Sequence, residues 1–524
     1  MLKNIPNSIL AILFSIFYIM AWTPFSQAYL IFIAFVPLLL LIRKHVDVKV
    51  KAKKTILLLV SLFFSTTIIL NYWISYAHWG GTLLASIVQS LLLLTPFLFF
   101  YRYTKKGHPK QGILAFIFLF ISIEYLQNFW DLSWPWFNLG QSLSVFPEGI
   151  QWYSYTGSIG GSLLILIINI SIYTITISKN SFISIVIFNT ILITVLCFIL
   201  TPTRSTPNIN QVKSMIYQPN LDAYSKKFDT NQHDQLKDLL QKIETLDTTV
   251  TTIIICPETY IHRSVNEDHI EYNPYINSIK SALKSERHYV LTGLNSTKKI
   301  DPKTEQDKGS IRTQNGIHYK VYNSALLINN KTTLDIYHKS KLVAGAETTP
   351  FSSILSPILG SLFNIDLGGI SGNLGKSDSP KILTSPHFSL SPIICFESAF
   401  SDYTASFSEL GSDFIAIITN DDWWGNTAGH KHHFELAKIR AIENQKYVVR
   451  SANTGISGII APNGTVVTSL SYKEKGFIEG NIGLIKRPSY FSQNKHVIGK
   501  LFTFVLAMLI LQMETLIIRS KKNV

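Results

Sequence analysis

The sequence predicts a polytopic α-helical membrane bundle joined to an α/β domain. Three observations carry this reading. Apolar residues make up 47% of the 524-residue chain and charged residues 15%, against about 25% charged in ordinary soluble proteins. The apolar residues crowd into 1–200 and 497–518. The stretch between them alternates short apolar runs with helical patterns, as α/β layer folds do.

Seven apolar segments precede residue 201, at about 8–24, 28–42, 55–75, 82–101, 111–127, 158–178 and 181–200; an eighth covers 497–518. A spanning helix needs roughly 20 apolar residues, so the second and fifth segments are at the short end. The loop 43–54 carries Arg43, Lys44, Lys49, Lys51, Lys53 and Lys54. The loop 102–110 carries Arg102, Lys105, Lys106 and Lys110, and the tail after 518 carries Arg519, Lys521 and Lys522. Loops 25–27, 76–81 and 128–150 contain no Lys or Arg. Basic loops stay cytoplasmic, so alternation predicts cytoplasmic N- and C-termini and an outer location for the middle of the chain. A cleaved signal peptide ending near Ser26-Gln27-Ala28 is an alternative for the first segment. Its removal would break the alternation.

The expected layout follows: a membrane bundle over 1–200, a Pro-containing linker at 201–211, an extracytoplasmic catalytic domain over 212–490, a final transmembrane helix at 497–518, and a tail at 519–524. Strand candidates include 251–256, 289–294, 324–329, 391–395, 414–419 and 447–451. A helix is expected over 429–446, where Phe434, Ala437, Ala441 and Ile442 share a face.

The net charge of +14 resides largely in short loops between apolar runs, a topology signal that argues against nucleic acid as partner. Cys197, Cys256 and Cys395 make neither a disulfide framework nor a zinc spacing. Cys197 reads as a packing residue within an apolar run. Cys256 is a rival nucleophile in principle, but mid-strand burial would leave it inert.

The chemistry centres on Cys395. It ends an apolar run and opens Cys395-Phe396-Glu397-Ser398, while Glu258 ends another in "TTIIICPET" (251–259). Lys339 lies between them in "YHKSKLVAGAE" (337–347). A thiol nucleophile needs a base and an oxyanion partner. Glu258 fits the first role. Lys339 and the backbone N–H of Phe396 fit the second. On residues alone, a strand-end Glu, a surface Lys and a buried structural Cys are the simpler reading.

The middle of the chain resembles the nitrilase superfamily, most closely in "PETYI" (257–261), "YHKSKLV" (337–343), "ICFESAF" (394–400), "TNDDWWG" (419–425) and 432–464. With "WPWFNLGQSL" (134–143) and the apolar segments, the whole chain resembles the apolipoprotein N-acyltransferase family of the bacterial inner membrane. The resemblance implies an α-β-β-α sandwich and a catalytic triad of Glu258 as base, Lys339, and Cys395 as nucleophile. It implies supporting roles for Glu347 and Glu397. Phe396 stands where the family often has Tyr, and Phe228 is a rough counterpart of a family tryptophan. Asp421, Trp423 and Trp424 lie in a turn that walls the site in this reading. The implied reaction is ping-pong transfer from a membrane phospholipid, through a Cys395 thioester, to the α-amine of a diacylated apolipoprotein. It requires no cofactor and no metal. A membrane-anchored amidase acting on a small amide is the alternative.

Two readings fit "FSSILSPILGSLF" (351–363): an arm dipping into the outer leaflet, or a buried core segment. "HKHH" (430–433) invites a metal reading but lacks carboxylate or Cys partners at ligand spacing; His433 is expected to pack near the start of its helix. Glu124, inside the fifth apolar segment, reads either as a helix–helix hydrogen bond or as a direct lipid or substrate contact.

Overall fold

A computed structural model describes residues 5–178, 182–199, 210–222, 227, 230–303, 310–331, 335–351 and 373–522. It divides into two units: 1–75 with 79–202 and 494–524, and 76–78 with 203–493. The expected linker falls almost wholly on 201–209, and the proposed arm on 352–363; both lie outside the described residues.

All eight apolar segments are helical among the described residues. Six are long and apolar enough to cross a membrane: Ala28–Asp47, Ala52–Leu70, Trp79–Lys105, Pro109–Phe129, Ser158–Ile177 and Tyr490–Gln512. The short ones are Asn7–Met20 and Ile183–Cys197, rather than the second and fifth segments as expected. Those two gain length by running into polar ends, Arg43 to Asp47 and Pro109 to Lys110. The second segment is also interrupted, as Ala28–Leu30, Ile31–Ala34 and Val36–Asp47. There the amide of Asn169 enters the helical ladder: its Nδ2 donates to Ile31 O at 2.9 Å and its Oδ1 accepts from Phe35 N at 2.9 Å. These are the two groups that a continuous helix would join to each other.

The second unit begins with β1 (Gln211–Gln218), β2 (Thr252–Ile255), β3 (Ile261–Asn266), β4 (His288–Lys299), β5 (Arg312–Gln314), β6 (Ile317–Ile328) and β7 (Asp335–His338). It continues with β8 (Leu383–Thr384), β9 (Ser389–Ile394), β10 (Phe414–Thr419), β11 (Val448–Ala452), β12 (Ser457–Ile460), β13 (Val466–Leu470) and β14 (Gly476–Gly483). One sheet runs β14-β1-β2-β4-β6-β5, with β3 on β4 and β7 on β6; the other runs β13-β12-β11-β10-β9-β8. Pairs β1–β2, β2–β4, β9–β10 and β10–β11 are parallel, and parallel strands need cover on both faces.

That cover explains the unbroken apolar runs. In β2, Ile253 and Ile255 pack with Ile393, Ile417 and Val449 of the other sheet. Ile254, on the opposite face, packs with Leu236, Leu239 and Ile276 of the helices Gln232–Glu244 and Pro274–Ala282. Ser401–Glu409 and Ala428–Asn444 supply Phe407, Phe434, Ala437 and Ala441 against the second sheet. The result is the four-layer α-β-β-α sandwich. Each fully buried Ile contributes roughly 1.5–3 kcal/mol.

Candidate active site

Strand ends of both sheets meet at one site. Glu258 follows β2, Lys339 follows β7, and Cys395 follows β9. All three are buried, Lys339 to 1% exposure. Lys339 Nζ donates to Glu258 Oε1 at 3.2 Å and to Glu347 Oε1 at 2.8 Å. Asn323, on β6, donates to the same two oxygens at 2.7 and 3.1 Å. The backbone N–H of Asn420 donates to Glu258 Oε2 at 3.0 Å, and that of Val343 to Glu347 Oε2 at 2.8 Å. Both carboxylates are therefore held by fixed donors.

Burial alone would lower the Lys339 ammonium; Glu258 and Glu347 outweigh it and hold Lys339 well above the ordinary lysine value. Burial, then Glu258, pushes the Cys395 thiol up, while Lys339 pulls it back down. A thiol pushed up in this way needs a base to become a nucleophile.

Cys395 has φ 51°, the left-handed region that costs a non-Gly residue of order 1–3 kcal/mol and clusters at functional sites. The turn Cys395–Ala399 is anchored by Glu397. Glu397 Oε1 accepts from Tyr337 hydroxyl and Ser340 N, each at 2.7 Å, and from Lys341 N at 3.2 Å. Its Oε2 accepts from Ile394 N at 2.8 Å. Burial pushes the Glu397 carboxyl up to about 7, opposed by the Tyr337 hydroxyl and the backbone donors. Phe396 packs its ring against Phe400, centroids 5.0 Å apart.

A second buried cluster holds the Cys395–Ala399 turn. His433 Nε2 lies 2.7 Å from Ser398 Oγ and 3.2 Å from the Cys395 carbonyl oxygen. Its Nδ1 lies 2.9 Å from Asp421 Oδ1, and Arg450 Nη2 donates to Asp421 Oδ2 at 2.7 Å. Asp421, His433 and Arg450 are each 0% exposed. Burial opposes ionisation of Asp421, but Arg450 and His433 hold its carboxyl well below the ordinary value of 3.8. His433 packs near the start of its helix, as expected, and it also links Asp421 to the Cys395–Ala399 turn. Among the described residues no group of three or more His, Cys, Asp or Glu could hold a metal.

Lys227 is a further cation at the site. Its Nζ donates to Glu258 O at 2.9 Å and Thr259 Oγ1 at 2.7 Å. Burial pulls it down to about 8, against Glu258, Asp422 and Cys395. Trp423 and Trp424 are half-buried in the turn Asp421–Trp424, and the Trp424 ring lies 5.6 Å from His433. Phe228 lies outside the described residues. Cys256 is fully buried in the other core cluster, where burial pushes its thiol up.

Sequence reasoning missed Lys227, Asn323, the Asp421–His433–Arg450 cluster and the anchoring of Glu397. One signal was present: Asn323 and Arg450 interrupt otherwise apolar strands, "VYNSALLI" and "VVRSA". A polar residue retained inside a buried strand asks for a partner.

A model of the carbon–nitrogen hydrolase family matches residues 216–486, and one of the apolipoprotein N-acyltransferase N-terminal domain matches 14–171. The apolipoprotein N-acyltransferase of Chlorobaculum tepidum is 25% identical over 444 residues, 82% of this chain and 81% of that protein. That of Rickettsia prowazekii is 26% identical over 392 residues, 73% of each chain. A nitrilase-superfamily protein of Saccharomyces cerevisiae aligns at TM-score 0.37 and 15% identity, over 56% of this chain and 97% of that one. With both models matched in order and relatives aligned along most of its length, the chain belongs to the carbon–nitrogen hydrolase family, within its apolipoprotein N-acyltransferase members.

Proposed function

We infer that this chain moves an acyl group from a membrane phospholipid to the α-amine of the diacylglyceryl-cysteine of an apolipoprotein, with Glu258, Lys339 and Cys395 as catalytic residues. The observation that carries the reading is the Lys339 ammonium bonded to both Glu258 and Glu347, beside a thiol on a left-handed turn. The relatives' name, apolipoprotein N-acyltransferase, supports the acceptor and the N-acylation, and six apolar helices fit a lipid donor.

In the first half-reaction Glu258 takes the Cys395 proton and the sulfur attacks the ester carbonyl carbon. Lys339 and the backbone N–H of Phe396 stabilise the oxyanion. The C–O bond breaks, the alkoxide takes the proton from Glu258, and a lysophospholipid leaves. In the second half the α-amine attacks the thioester and Glu258 takes a proton from it. The C–S bond breaks, an amide forms, and the proton returns to sulfur. Exclusion of water keeps this transfer from becoming hydrolysis. Glu347 and Asn323 position the Lys339–Glu258 pair. Glu397 holds the nucleophile turn.

The reading places the bundle at 1–200, the catalytic domain at 212–490 on the outer face of the inner membrane, and the last helix at 497–518. Alternation of basic and uncharged loops supports that orientation. Intact-mass measurement after incubation with phospholipid vesicles tests the reaction. The expected product is a long-chain acyl adduct on Cys395, absent in Cys395→Ala and discharged by a diacylated lipopeptide. An adduct formed from small amides but not from phospholipid would overturn it.

A further inference from the structure

The membrane unit holds a second polar centre, built from residues the reaction above does not use. Glu124, on the helix Pro109–Leu126, is 5% exposed. Its Oε1 accepts the backbone N–H of Leu139 at 2.7 Å, the Ser162 hydroxyl lies near the carboxylate, and among the described residues its Oε2 makes no hydrogen bond within normal distance. Gln89, on the helix Trp79–Lys105, is also 5% exposed. Its Oε1 accepts from Asn71 Nδ2 at 2.7 Å, and among the described residues its Nε2 makes no hydrogen bond. Both side chains line one open pocket, which Phe120, Trp134 and Phe137 also wall.

A buried acceptor and a buried donor, both unsatisfied and both on one cavity, ask for a ligand carrying the complementary pair. A carboxylate at membrane depth marks a functional site by default. Water would satisfy the two polar atoms. The aromatic walls add a surface that attracts a cation carried on carbon. A metal ion would need more than one carboxylate oxygen.

We propose that this cavity binds the primary ammonium of a lipid, held on Glu124 Oε2, while an oxygen of the same molecule accepts from Gln89 Nε2. Two molecules of the proposed reaction carry that group. One is an acyl donor with an ethanolamine headgroup, whose phosphate would face Gln89. The other is the acceptor, whose free α-amine sits beside its own carbonyl. Only these two identities rest on the acyl-transfer reading; the ammonium site does not.

The test uses the full chain with Cys395→Ala, which retains lipid without turnover, in detergent for native mass spectrometry. The donor arm compares phosphatidylethanolamine with its N-acetylated form and with phosphatidylglycerol. The acceptor arm compares a diacylated lipopeptide with its N-acetylated form. The expected result is a tenfold or greater preference for the free amine in one arm, which identifies the source, falling below threefold in Glu124→Gln. That substitution keeps the oxygen that Leu139 uses. Gln89→Leu weakens retention of the same ligand and serves if Glu124→Gln fails to fold. Equal retention of free and acetylated amines by the unsubstituted cavity overturns the proposal, as does a preference unmoved by Glu124→Gln. Ammonium selectivity together with no acyl adduct on the unsubstituted chain would leave the site standing and sink the reaction.

Discussion

Lys339 and Glu258 meet at 3.2 Å although 81 residues separate them, and both are buried. A buried ion pair is worth little against an apolar replacement, but breaking one partner strands the other's charge. Lys339→Met should therefore cost about 3–5 kcal/mol of catalytic-domain stability and should abolish acyl-adduct formation. Chemical denaturation of the detergent-solubilised chain and intact-mass analysis read the two effects separately. Stability within 1 kcal/mol of the parent would mean that Glu347 and Glu258 do not depend on the ammonium.

Thiol reactivity separates a base from a mere charge. Glu258 raises the Cys395 thiol and Lys339 lowers it. Glu258→Gln removes the negative neighbour, so the pH midpoint of Cys395 alkylation should move down, while acyl transfer falls by about 10²–10⁴-fold. Lys339→Met should move the midpoint up. Iodoacetamide labelling followed across pH, mapped to the Cys395 peptide, measures both. Matching directions for the two variants would contradict the charge arrangement.

Much of this site was legible in the sequence, and the reason is local. Strands β2 and β10 are nearly unbroken apolar runs and β9 ends on the apolar Pro392-Ile393-Ile394, because both faces are covered, so their ends, and hence Glu258 and Cys395, could be located. Strand β1 was invisible. Its Gln211, Lys213, Ser214 and Gln218 read as polar chain, and its ordering comes from pairing with β14, more than 250 residues away, and with β2. The same holds for Asp421, His433 and Arg450: each looked ordinary alone, and only the fold makes them a cluster. Glu347 and Glu397 were located by resemblance. Their hydrogen bonds were not predictable from spacing.

The Asp421 cluster predicts a pH signature. Its folded carboxyl lies below the ordinary value of 3.8, so its contribution is complete above about pH 4 and is lost as pH falls through the lower folded value. Asp421→Asn should destabilise the catalytic domain at neutral pH by about 3–5 kcal/mol, since Arg450 stays buried without its counter-charge. The acid limb of the stability curve below pH 4 should also flatten. His433→Ala should lower the rate of acyl-adduct formation by roughly 10²-fold through the loosened Cys395 carbonyl. Melts recorded between pH 3 and 8 test the first claim, and single-turnover acylation tests the second. A parallel downward shift of the whole curve, with its acid limb unchanged, would remove Asp421 from the titration.

Gly293 offers the sharpest geometric test. A Cβ at this position in β4 would stand 2.5 Å from Thr259 N, 2.6 Å from Glu258 Cα and 2.7 Å from Pro257 O. All three are backbone atoms, which cannot swing aside as a flexible side chain can. Gly293→Ala must therefore push the Glu258 segment away from its donors, Asn323 and Asn420. Overpacking of this kind costs about 1–3 kcal/mol, and displacing a catalytic group by about 1 Å costs roughly 10²-fold in rate. Gly476→Ala is the matched control, because nothing lies within 4 Å of its added carbon. The expected pattern is slow acylation in Gly293→Ala with KM for phospholipid little changed, and near-parental acylation in Gly476→Ala. Equal rates in the two variants would show that Glu258 tolerates displacement, and would remove it as the proton acceptor for Cys395.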